Sequence, residues 1–522
     1  MKILLLFPPT WSLNVGSPHL AIPLLMAYLE VNGMEVKARD LNWEIAEYYN
    51  IRISIEEVKE ACASSRLESL NYPYFLAEDK LIAIAEKYSG NWNLQLGFKF
   101  NRYSFSCSKD VREAIQTSSP FSPYYYDKLF PWIDDENPEI IGFSIASVYQ
   151  LIPAFQISWL LRQRGYDGII IMGGNTISRL GNNLKIPPLF DLIDAFILFG
   201  GEIPLLELCK AAKENISFEE IPNIIWENKD GYGIQTGSIL DNQGVDKFPT
   251  PNFDDFPLNR YWGINYIPLV AARGCYYGKC NFCSIHYGWG SKGFAGVRKP
   301  GLVYNDMINL SKKYGILKFK FIDESLMPKM MRYLAEMILS DGIRFEWEGY
   351  TRLEQTWLCK EFTELIAKAG FRKAYFGLEI LPSSTRAKLN KKDYPDILAI
   401  LKNCYYAGIK THLFCMIGYP GTGKKEAEET LRFILENKNI IDTVDIFPFS
   451  YAKYTYIPSI EKVRDPRMDW ALEYDYIPKE NHILRSEEVV KLTTEVEEIL
   501  WRESPKLLHP IYRLLTPWDD VI

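Results

Sequence analysis

The chain has 522 residues, more than one ordinary hydrophobic core accommodates, so two to four domains are expected. Its hydrophobic share of 47% and charged share of 24% are typical of a globular protein. The net charge is -7 and the basic residues form no stripe along the sequence, which argues against a nucleic-acid partner. No apolar run reaches the ~18 residues of a membrane span, and the apolar run before Pro8 is too short for an export signal. A cytoplasmic location with no membrane partner is therefore expected.

Residues 1–215 alternate predicted strands and helices, apart from an inserted segment at about 45–135 that includes a predicted helix at 78–88. The predicted strands are 2–7, 35–39, 140–145, 169–172 and 195–198. The predicted helices between them are 20–31, 149–164 and 204–212. This alternation is typical of an α/β fold with a doubly wound, Rossmann-like parallel sheet, in which ligands bind at the carboxyl ends of the strands.

Prolines between Phe248 and Pro257 prevent regular structure, and residues 216–264 are predicted to form a linker. A second strand–helix rhythm then covers residues 265–452, with a repeat of roughly 30 residues. Its predicted strands are 268–272, 318–323, 344–350, 373–379, 411–417 and 443–447. One βα unit per repeat predicts a partial (β/α)6 barrel with its active groups directly after the strands. Residues 453–522, with a predicted helix near 486–501, are expected to form a small helical cap or tail.

Three of the nine cysteines, Cys275, Cys280 and Cys283, follow the first predicted barrel strand, and the other six are scattered singly. Thiolates favour zinc or iron–sulfur clusters. A structural zinc site normally needs four protein ligands, and His286 is the nearest candidate for the fourth. Three cysteines fit better a four-iron cluster that leaves one iron open to a reactant. The zinc alternative stays open on the residues alone.

This part of the chain resembles the radical S-adenosylmethionine superfamily over roughly residues 265–450. The resemblance implies a 4Fe-4S cluster on the three cysteines, with S-adenosyl-L-methionine on the open iron and an electron donor such as flavodoxin or ferredoxin. It also implies cofactor contacts from Phe282 at the adenine, Asp323 and Glu324 at the methionine amino group, Arg352 at the co-substrate and Glu379 at the ribose. The spacing departs from the family pattern, because four residues rather than three separate Cys275 from Cys280. We expect the extra residue to bulge out at Gly278.

The amino-terminal domain resembles the cobalamin-binding class of these enzymes through the loops after three of its strands. The resemblance implies that cobalamin lies against Ser144, Ser147, Gly173, Gly174, Asn175, Gly201 and Glu202. A sheet retained only as a scaffold, with glycines for its turns, is the alternative. The Asp-x-His-x-x-Gly motif that supplies a histidine ligand to cobalt elsewhere is absent, and His19 is the only histidine before His286. If cobalamin binds, we expect its own base to be displaced from the cobalt, and no histidine of that motif to take the place of the base.

A competing motif at residues 418–425 nearly matches the phosphate-binding Walker A loop of nucleoside triphosphatases. Lys425 stands where a Ser or Thr must bind magnesium, and Pro420 removes a backbone donor. We therefore expect this loop to be the turn that commonly precedes a helix in radical S-adenosylmethionine barrels.

These resemblances predict a cobalamin-dependent radical S-adenosylmethionine enzyme that methylates an unactivated carbon of a peptide or natural-product substrate. No catalytic residue beyond the cofactor ligands is predicted. One alternative uses the same cofactors for radical oxidation, ring contraction or cyclisation without methyl transfer. A second alternative is a non-catalytic binding protein that a metal stabilises.

Overall fold

The computed structural model describes residues 1–10, 17–50, 92–94, 98–100, 102–186, 189–228, 230–231, 233–237, 245–261, 266–290, 293–381, 383–391 and 396–508. The predicted helix at 78–88 lies outside these residues.

A seven-stranded sheet forms the amino-terminal domain. Its strands are β1 (Lys2–Phe7), β2 (Glu35–Asp40), β3 (Ile140–Ser144), β4 (Ile169–Gly173), β5 (Ala195–Ile197), β6 (Ile224–Glu227) and β7 (Gly233–Gln235). The first five strands are parallel and lie in the spatial order β2-β1-β3-β4-β5. The direction of winding therefore reverses between β1 and β3, and such a reversal leaves a crevice at the carboxyl ends of the strands. This confirms the predicted Rossmann-like architecture.

Helices cover both faces of this sheet. They are α1 (Ala21–Val31), α2 (Leu41–Tyr48), α3 (Leu151–Gln163), α4 (Asn175–Leu180) and α5 (Glu202–Glu214). Asp40 begins α2 because its carboxylate accepts hydrogen bonds from the backbone N–H groups of Asn42 and Trp43. The described part of the inserted segment contains helices Ser108–Ala114, Ser122–Tyr124 and Phe130–Glu136, a π turn at Tyr125–Leu129, and a ribbon of Trp92–Leu94 and Phe98–Phe100.

The sheet extends beyond residue 215 into the segment predicted to be a linker. β6 pairs antiparallel with β5, and β7 pairs antiparallel with β6. The sequence-based prediction overlooked these strands because it searched for the parallel βα repeat, whereas an antiparallel hairpin needs no helix. The proline-rich stretch follows them and is irregular, and 3-10 turns at Val245–Lys247 and Leu258–Arg260 lie on either side of it.

Six parallel strands, each next to its predecessor in the chain, form the second domain. They are β8 (Tyr266–Leu269), β9 (Lys318–Phe321), β10 (Glu346–Thr351), β11 (Phe371–Glu379), β12 (Lys410–Ile417) and β13 (Thr443–Pro448). The intervening helices are α6 (Pro300–Tyr314), α7 (Pro328–Ser340), α8 (Lys360–Lys368), Ser383–Lys388, α9 (Ile397–Tyr406) and α10 (Lys424–Glu436). This confirms the predicted partial (β/α)6 barrel. A hairpin of Ala272–Gly274 and Phe294–Val297 follows β8.

The carboxyl-terminal region contacts both domains. Its short hairpins pair Tyr451–Ala452 with Glu473–Tyr474 and Ile460–Lys462 with Tyr476–Pro478, and helices α11 (Ser486–Glu503) and Pro505–Leu508 follow. The ring of Trp470 stacks on Phe155 of α3 at 5.7 Å. On the barrel side, Val489 of α11 packs against Gly418, the residue that follows β12. A Cβ added at Gly418 would lie only 2.4 Å from Cγ2 of Val489. Within the described ranges, no helix combines the length and apolarity needed to cross a bilayer.

A buried ion pair joins the two domains. Glu202 begins α5 of the amino-terminal domain, and Arg273 lies in the hairpin after β8. The guanidinium donates to both carboxylate oxygens, with 2.9 Å between Nη1 and Oε2. It also lies 4.1 Å from the centre of the Phe248 ring and 5.3 Å from that of Trp289. A bidentate pair of this kind sets orientation as well as distance, so it holds the carboxyl edge of the sheet against the barrel.

Replacing Arg273 with Met should therefore destabilise the protein strongly. The change leaves the Glu202 carboxylate buried without its partner, which costs about 3–5 kcal/mol of unfolding free energy. The matched control is Lys313→Met, which breaks a 2.7 Å ion pair with Asp254 between side chains 49% and 51% exposed and should cost about 0–1 kcal/mol. Urea unfolding followed by fluorescence measures both variants. Similar small losses in the two would mean that the buried pair does not hold the domains together.

Candidate active site

A cavity lies between the carboxyl edge of the sheet and the mouth of the barrel. It contains about 1270 Å³ of empty space, part of it open to solvent. Its floor is mostly apolar, formed by side chains such as Leu5, Ile171 and Ile197. A ligand held here would contact residues of both domains.

Six of the seven residues implied for cobalamin line this cavity, namely Ser144, Gly173, Gly174, Asn175, Gly201 and Glu202. Parallel pairing brings them together, because Ser144 at the end of β3 lies directly opposite Gly173 at the end of β4. The loop after β5 joins them at the same edge.

Two of these residues also have structural roles. Gly174 has a φ of +104°, and a Cβ there would lie 2.6 Å from the Ile145 carbonyl oxygen, so the turn itself requires glycine. The Glu202 carboxylate is held by Arg273. Gly201 differs from Gly174, because its φ is -86° and a Cβ there would meet only the end of the flexible Leu25 side chain, at 3.3 Å.

Ser147 is the seventh implied residue, and it does not line the cavity. Its hydroxyl accepts a hydrogen bond from the Tyr149 N–H, while the Gln150 side chain returns to the Ser147 N–H at 3.0 Å. This capping box begins the turn before α3. The Ser-x-x-Gln signature was visible in the sequence and predicts this structural role better than a cofactor contact.

On the barrel side, consecutive carboxylates after β9 have different surroundings. Asp323 is 1% exposed, and its oxygens accept from the N–H groups of Ala271 and Ala272 at 2.6–3.1 Å. It holds the start of the cysteine-bearing segment and does not line the cavity. Burial raises the pKa of Asp323 to about 7, against the opposing effect of its backbone donors.

Glu324 does line the cavity. Its Oε2 accepts from the N–H of Gly274, the residue before Cys275, at 3.0 Å, and its Oε1 accepts from the Trp289 indole at 2.5 Å. Burial is the largest cause of the raised pKa of this carboxyl group. Each oxygen retains a further lone pair for a ligand. Glu324 therefore connects the cavity with the cysteine loop.

The three predicted cysteine ligands lie on one loop after the hairpin strand Ala272–Gly274, and all three are half-buried free thiols. Gly278 has a φ of +56°, which accommodates the extra residue between Cys275 and Cys280. A turn near residue 390 holds this loop. Tyr277 donates its hydroxyl to the Asn390 carbonyl at 2.5 Å, and Asn390 donates its amide to the Lys279 carbonyl at 2.7 Å.

Burial makes the thiolate form unfavourable at two of these cysteines unless a cation binds. Burial raises the pKa of Cys280 to about 12 and, as its largest cause, raises that of Cys283. Thiolates at these positions need a bound cation to stabilise them. Among the described side chains, which exclude that of His286, no three Cys, His, Asp or Glu residues converge to hold a single metal ion. Each cysteine of a four-iron cluster binds a different iron, so its sulfurs need not converge on one point.

The remaining predicted cofactor residues surround this loop. The Arg352 guanidinium lies 3.6 Å from the centre of the Tyr277 ring. Its buried Nε has no hydrogen-bond partner among the residues that the structure describes, and a Glu354 oxygen is 3.9 Å away. Glu379 forms a 2.7 Å ion pair with Lys391. Phe282 is half-buried against a small apolar cluster that includes Leu389. The described contacts bring Arg352 and Glu379 to the cysteines rather than to the cavity.

The Walker-like loop has an internal partner where a phosphate would bind. The Glu426 carboxylate accepts from the N–H of Gly423 at 2.8 Å and so caps the start of α10. Lys424 is 73% exposed and pairs with Glu428 at 3.8 Å. A helix start already bearing a carboxylate disfavours a second anion.

Among the cavity side chains that carry polar atoms, three were not predicted as site residues from the sequence: His19, Arg273 and Trp289. Arg273 and Trp289 flank the cysteine loop in the chain, and that proximity was the available signal. No sequence signal indicated His19, because the position of its ring depends on the packing of the loop after β1.

Comparison with known proteins agrees with this geometry. Residues 269–434 match the Radical SAM superfamily. The chain is 23% identical over 309 residues to an uncharacterized methyltransferase of Pyrococcus horikoshii, PH0819, an alignment covering 57% of this chain and 64% of the relative. It is 24% identical over 265 residues to the cytidylyl-2-hydroxyethylphosphonate methyltransferase of Streptomyces wedmorensis, covering 44% of this chain and 48% of the relative. The alignments thus span less than two thirds of these relatives.

Two solved structures share the fold over most of the chain. One is the radical S-adenosylmethionine methyltransferase TsrM from Kitasatospora setae, solved with cobalamin and a 4Fe-4S cluster bound. It has a TM-score of 0.61 at 13% identity and covers 95% of this chain and 90% of TsrM. The other is the cobalamin-dependent radical enzyme OxsB, with a TM-score of 0.57 at 15% identity, covering 87% of this chain and 54% of OxsB. Residues 269–434, which include the three cysteines, therefore form a domain of the radical S-adenosylmethionine superfamily.

Proposed function

We propose that this chain is a cobalamin-dependent radical S-adenosylmethionine methyltransferase acting on an unactivated carbon of a small natural-product or peptide substrate. The observation that carries the proposal is the cavity shared by the glycine-rich sheet edge and Glu324 of the barrel. When bound, the cluster supplies the electron that cleaves S-adenosylmethionine, and cobalamin supplies the methyl group. The named methyltransferases among the relatives, and the cobalamin and cluster bound to TsrM, support this assignment.

The cysteine loop would hold the cluster through Cys275, Cys280 and Cys283. Glu324 would accept the methionine amino group of S-adenosylmethionine through lone pairs that Gly274 and Trp289 leave free. Glu379 and Arg352, which lie beside the loop, would contact the nucleoside and carboxylate ends, and Phe282 would pack near the adenine. We assign Asp323 to positioning the loop, because it is buried away from the cavity and its oxygens accept from the backbone of Ala271 and Ala272.

The amino-terminal half of the cavity would hold cobalamin, with the flat ring over the sheet edge. The residues against the ring would be Ser144, Gly173, Asn175 and Gly201. Glu202 and Gly174 maintain the conformation of this edge, Glu202 through its ion pair with Arg273 and Gly174 through its turn. The apolar walls would exclude water from the reacting groups. An external electron donor such as flavodoxin or ferredoxin would reduce the cluster.

Product analysis tests this function. The full chain is reconstituted anaerobically with iron and sulfide and incubated with S-adenosylmethionine and dithionite, with and without hydroxocobalamin. We expect 5′-deoxyadenosine in both incubations and S-adenosylhomocysteine only where cobalamin is present. Formation of 5′-deoxyadenosine alone in both would favour a radical reaction without methyl transfer. Formation of neither product would contradict the enzyme assignment.

Replacing any one of Cys275, Cys280 and Cys283 with Ala should abolish cluster binding, because each substitution removes one of three protein thiolates. The matched control is Cys404→Ala, a buried thiol on α9 away from the loop, which should retain full iron and sulfide. Iron and sulfide analysis with the visible absorption spectrum measures the result. Full iron content in the three loop variants would rule out these ligands.

Replacing Glu324 with Gln should weaken S-adenosylmethionine binding about tenfold or more while the cluster still assembles. The amide can still accept from Gly274 but lacks the charge that binds an ammonium group, and a charged hydrogen bond contributes about 1.5–3 kcal/mol. The control is Glu336→Gln on the exposed face of α7. Anaerobic equilibrium dialysis measures the dissociation constants. Equal affinity of both variants for S-adenosylmethionine would mean that its amino group does not bind to Glu324.

Replacing Gly201 with Val should lower cobalamin uptake at least tenfold and leave the iron content unchanged, because the added atoms occupy the cavity edge beside Leu25. Gly174 is unsuitable for this test, since its positive φ would make a valine unfold the turn. The control is Gly301→Val, where nothing lies within 4 Å of an added Cβ. Bound cobalamin is measured by its absorption after gel filtration. Undiminished cobalamin uptake by Gly201→Val would argue against this cavity as the cobalamin-binding site.

A further inference from the structure

Arg179 brings a positive charge of the amino-terminal domain to the cysteine loop of the barrel. It lies in α4, the helix that begins directly after Gly174 at the cavity edge. Its guanidinium Nη2 donates to the Ser284 hydroxyl at 3.2 Å, and Ser284 directly follows Cys283 in the chain. Ser284 is buried. The contact therefore joins the two domains beside one of the three cysteines.

Contacts at both ends of α4 fix the position of this arginine. At the start of the helix, a Cβ added at Gly288 would lie 2.2 Å from Nδ2 of Asn175, so the turn after the cysteines packs directly on α4. At its end, the Lys453 ammonium and the Tyr454 hydroxyl donate to the Arg179 carbonyl oxygen at 3.0 and 2.6 Å. The backbone that carries the guanidinium is thus held by the barrel and by the carboxyl-terminal region.

The Arg179 charge lacks a close carboxylate partner. Within the part of the chain that the structure describes, Arg179 forms no ion pair, and its buried Nε has no hydrogen-bond partner. Burial lowers the pKa of Arg179, and the nearby Glu473, Tyr454 and Cys283 oppose that effect. Glu473 is exposed, so water and salt screen its charge. Arginine stays protonated in proteins, and the positive charge beside Cys283 is therefore permanent.

The cations that the barrel itself places at the loop have carboxylates beside them. Lys391 pairs with Glu379 at 2.7 Å, and the Arg352 guanidinium has a Glu354 oxygen 3.9 Å away. A cation next to a carboxylate produces a smaller net field at the thiolates than an uncompensated cation does, and partial burial strengthens the field of the latter. Of these three cations, Arg179 is the one without such a carboxylate among the described residues.

We propose that Arg179 raises the reduction potential of the iron–sulfur cluster held by Cys275, Cys280 and Cys283. This inference rests on the proposed function, because it requires a cluster on the cysteine loop. The step is the transfer of one electron from the external donor to the cluster, which makes its net charge more negative by one unit and neither forms nor breaks a bond. A positive charge nearby stabilises this more negative state. The domain assigned to cobalamin thereby eases reduction of the cluster in the other domain.

A redox titration of the reconstituted full-length protein, followed by electron paramagnetic resonance of the reduced cluster, tests this role. Arg179→Gln removes the charge and keeps a side chain that can donate to Ser284. It should lower the ratio of reduced to oxidised cluster at a fixed potential at least tenfold, a shift of about 59 mV for one electron. Arg179→Lys restores the charge and should recover most of the shift. The matched control Arg502→Gln removes a guanidinium that is 72% exposed and should leave the potential unchanged.

Iron and sulfide content separates an effect of charge from damage to the loop, because the proposal requires a complete cluster with a lower potential. An unchanged potential in Arg179→Gln, an equal shift in Arg502→Gln, or a shift that Arg179→Lys does not reverse would each overturn it. Arg179→Met provides a second uncharged variant, and loss of the cluster from both would mean that Arg179 holds the loop instead, which also overturns the proposal. Failure of the wild type to assemble a cluster would overturn the proposed function as well, whereas an unshifted potential overturns this inference alone.

Discussion

The buried ion pair between Glu202 and Arg273 holds together the two edges on which the cavity depends. Each domain is built on parallel strands, so each gathers its loops at one carboxyl edge. Two such domains could be joined in many orientations, and most would leave these edges apart. Because Glu202 begins α5 directly after the loop of β5 and Arg273 follows β8, their two-point contact brings the edges face to face.

The cysteine loop is held in place before any cofactor binds. Asp323 secures its start through two backbone N–H groups, Glu324 secures the residue before Cys275, and Asn390 secures its centre. Polar groups that orient a site in advance reduce the ordering needed when a ligand arrives. Glu324 also faces the cavity, so one carboxylate connects the cysteines with the space shared by the two domains. A change at Glu324 would therefore affect both the cysteine loop and the cavity.

Residues 323 and 324 show how far sequence reasoning reaches. Both were expected to contact S-adenosylmethionine, because both follow the second barrel strand. Both lie in the loop after β9, which ends at Phe321, so the alternation of side chains along a strand does not decide the direction of either carboxylate. Hydrogen bonding in the folded chain turns Asp323 inward to Ala271 and leaves Glu324 at the cavity. Ser147 is a similar case, since its hydroxyl takes part in a capping box and the residue does not line the cavity.

The sequence by itself determined the alternation of strands and helices, the order of the two α/β domains and the triplet of cysteines after the first barrel strand. These features are local, because hydrophobic periodicity and residue spacing are set by neighbours in the chain. Tertiary structure decided which loops meet across the cavity, the pairing of Glu202 with Arg273, and the position of His19 beside Phe7. Such contacts join residues far apart in the chain, and the packing of the whole core, rather than any local pattern, determines them.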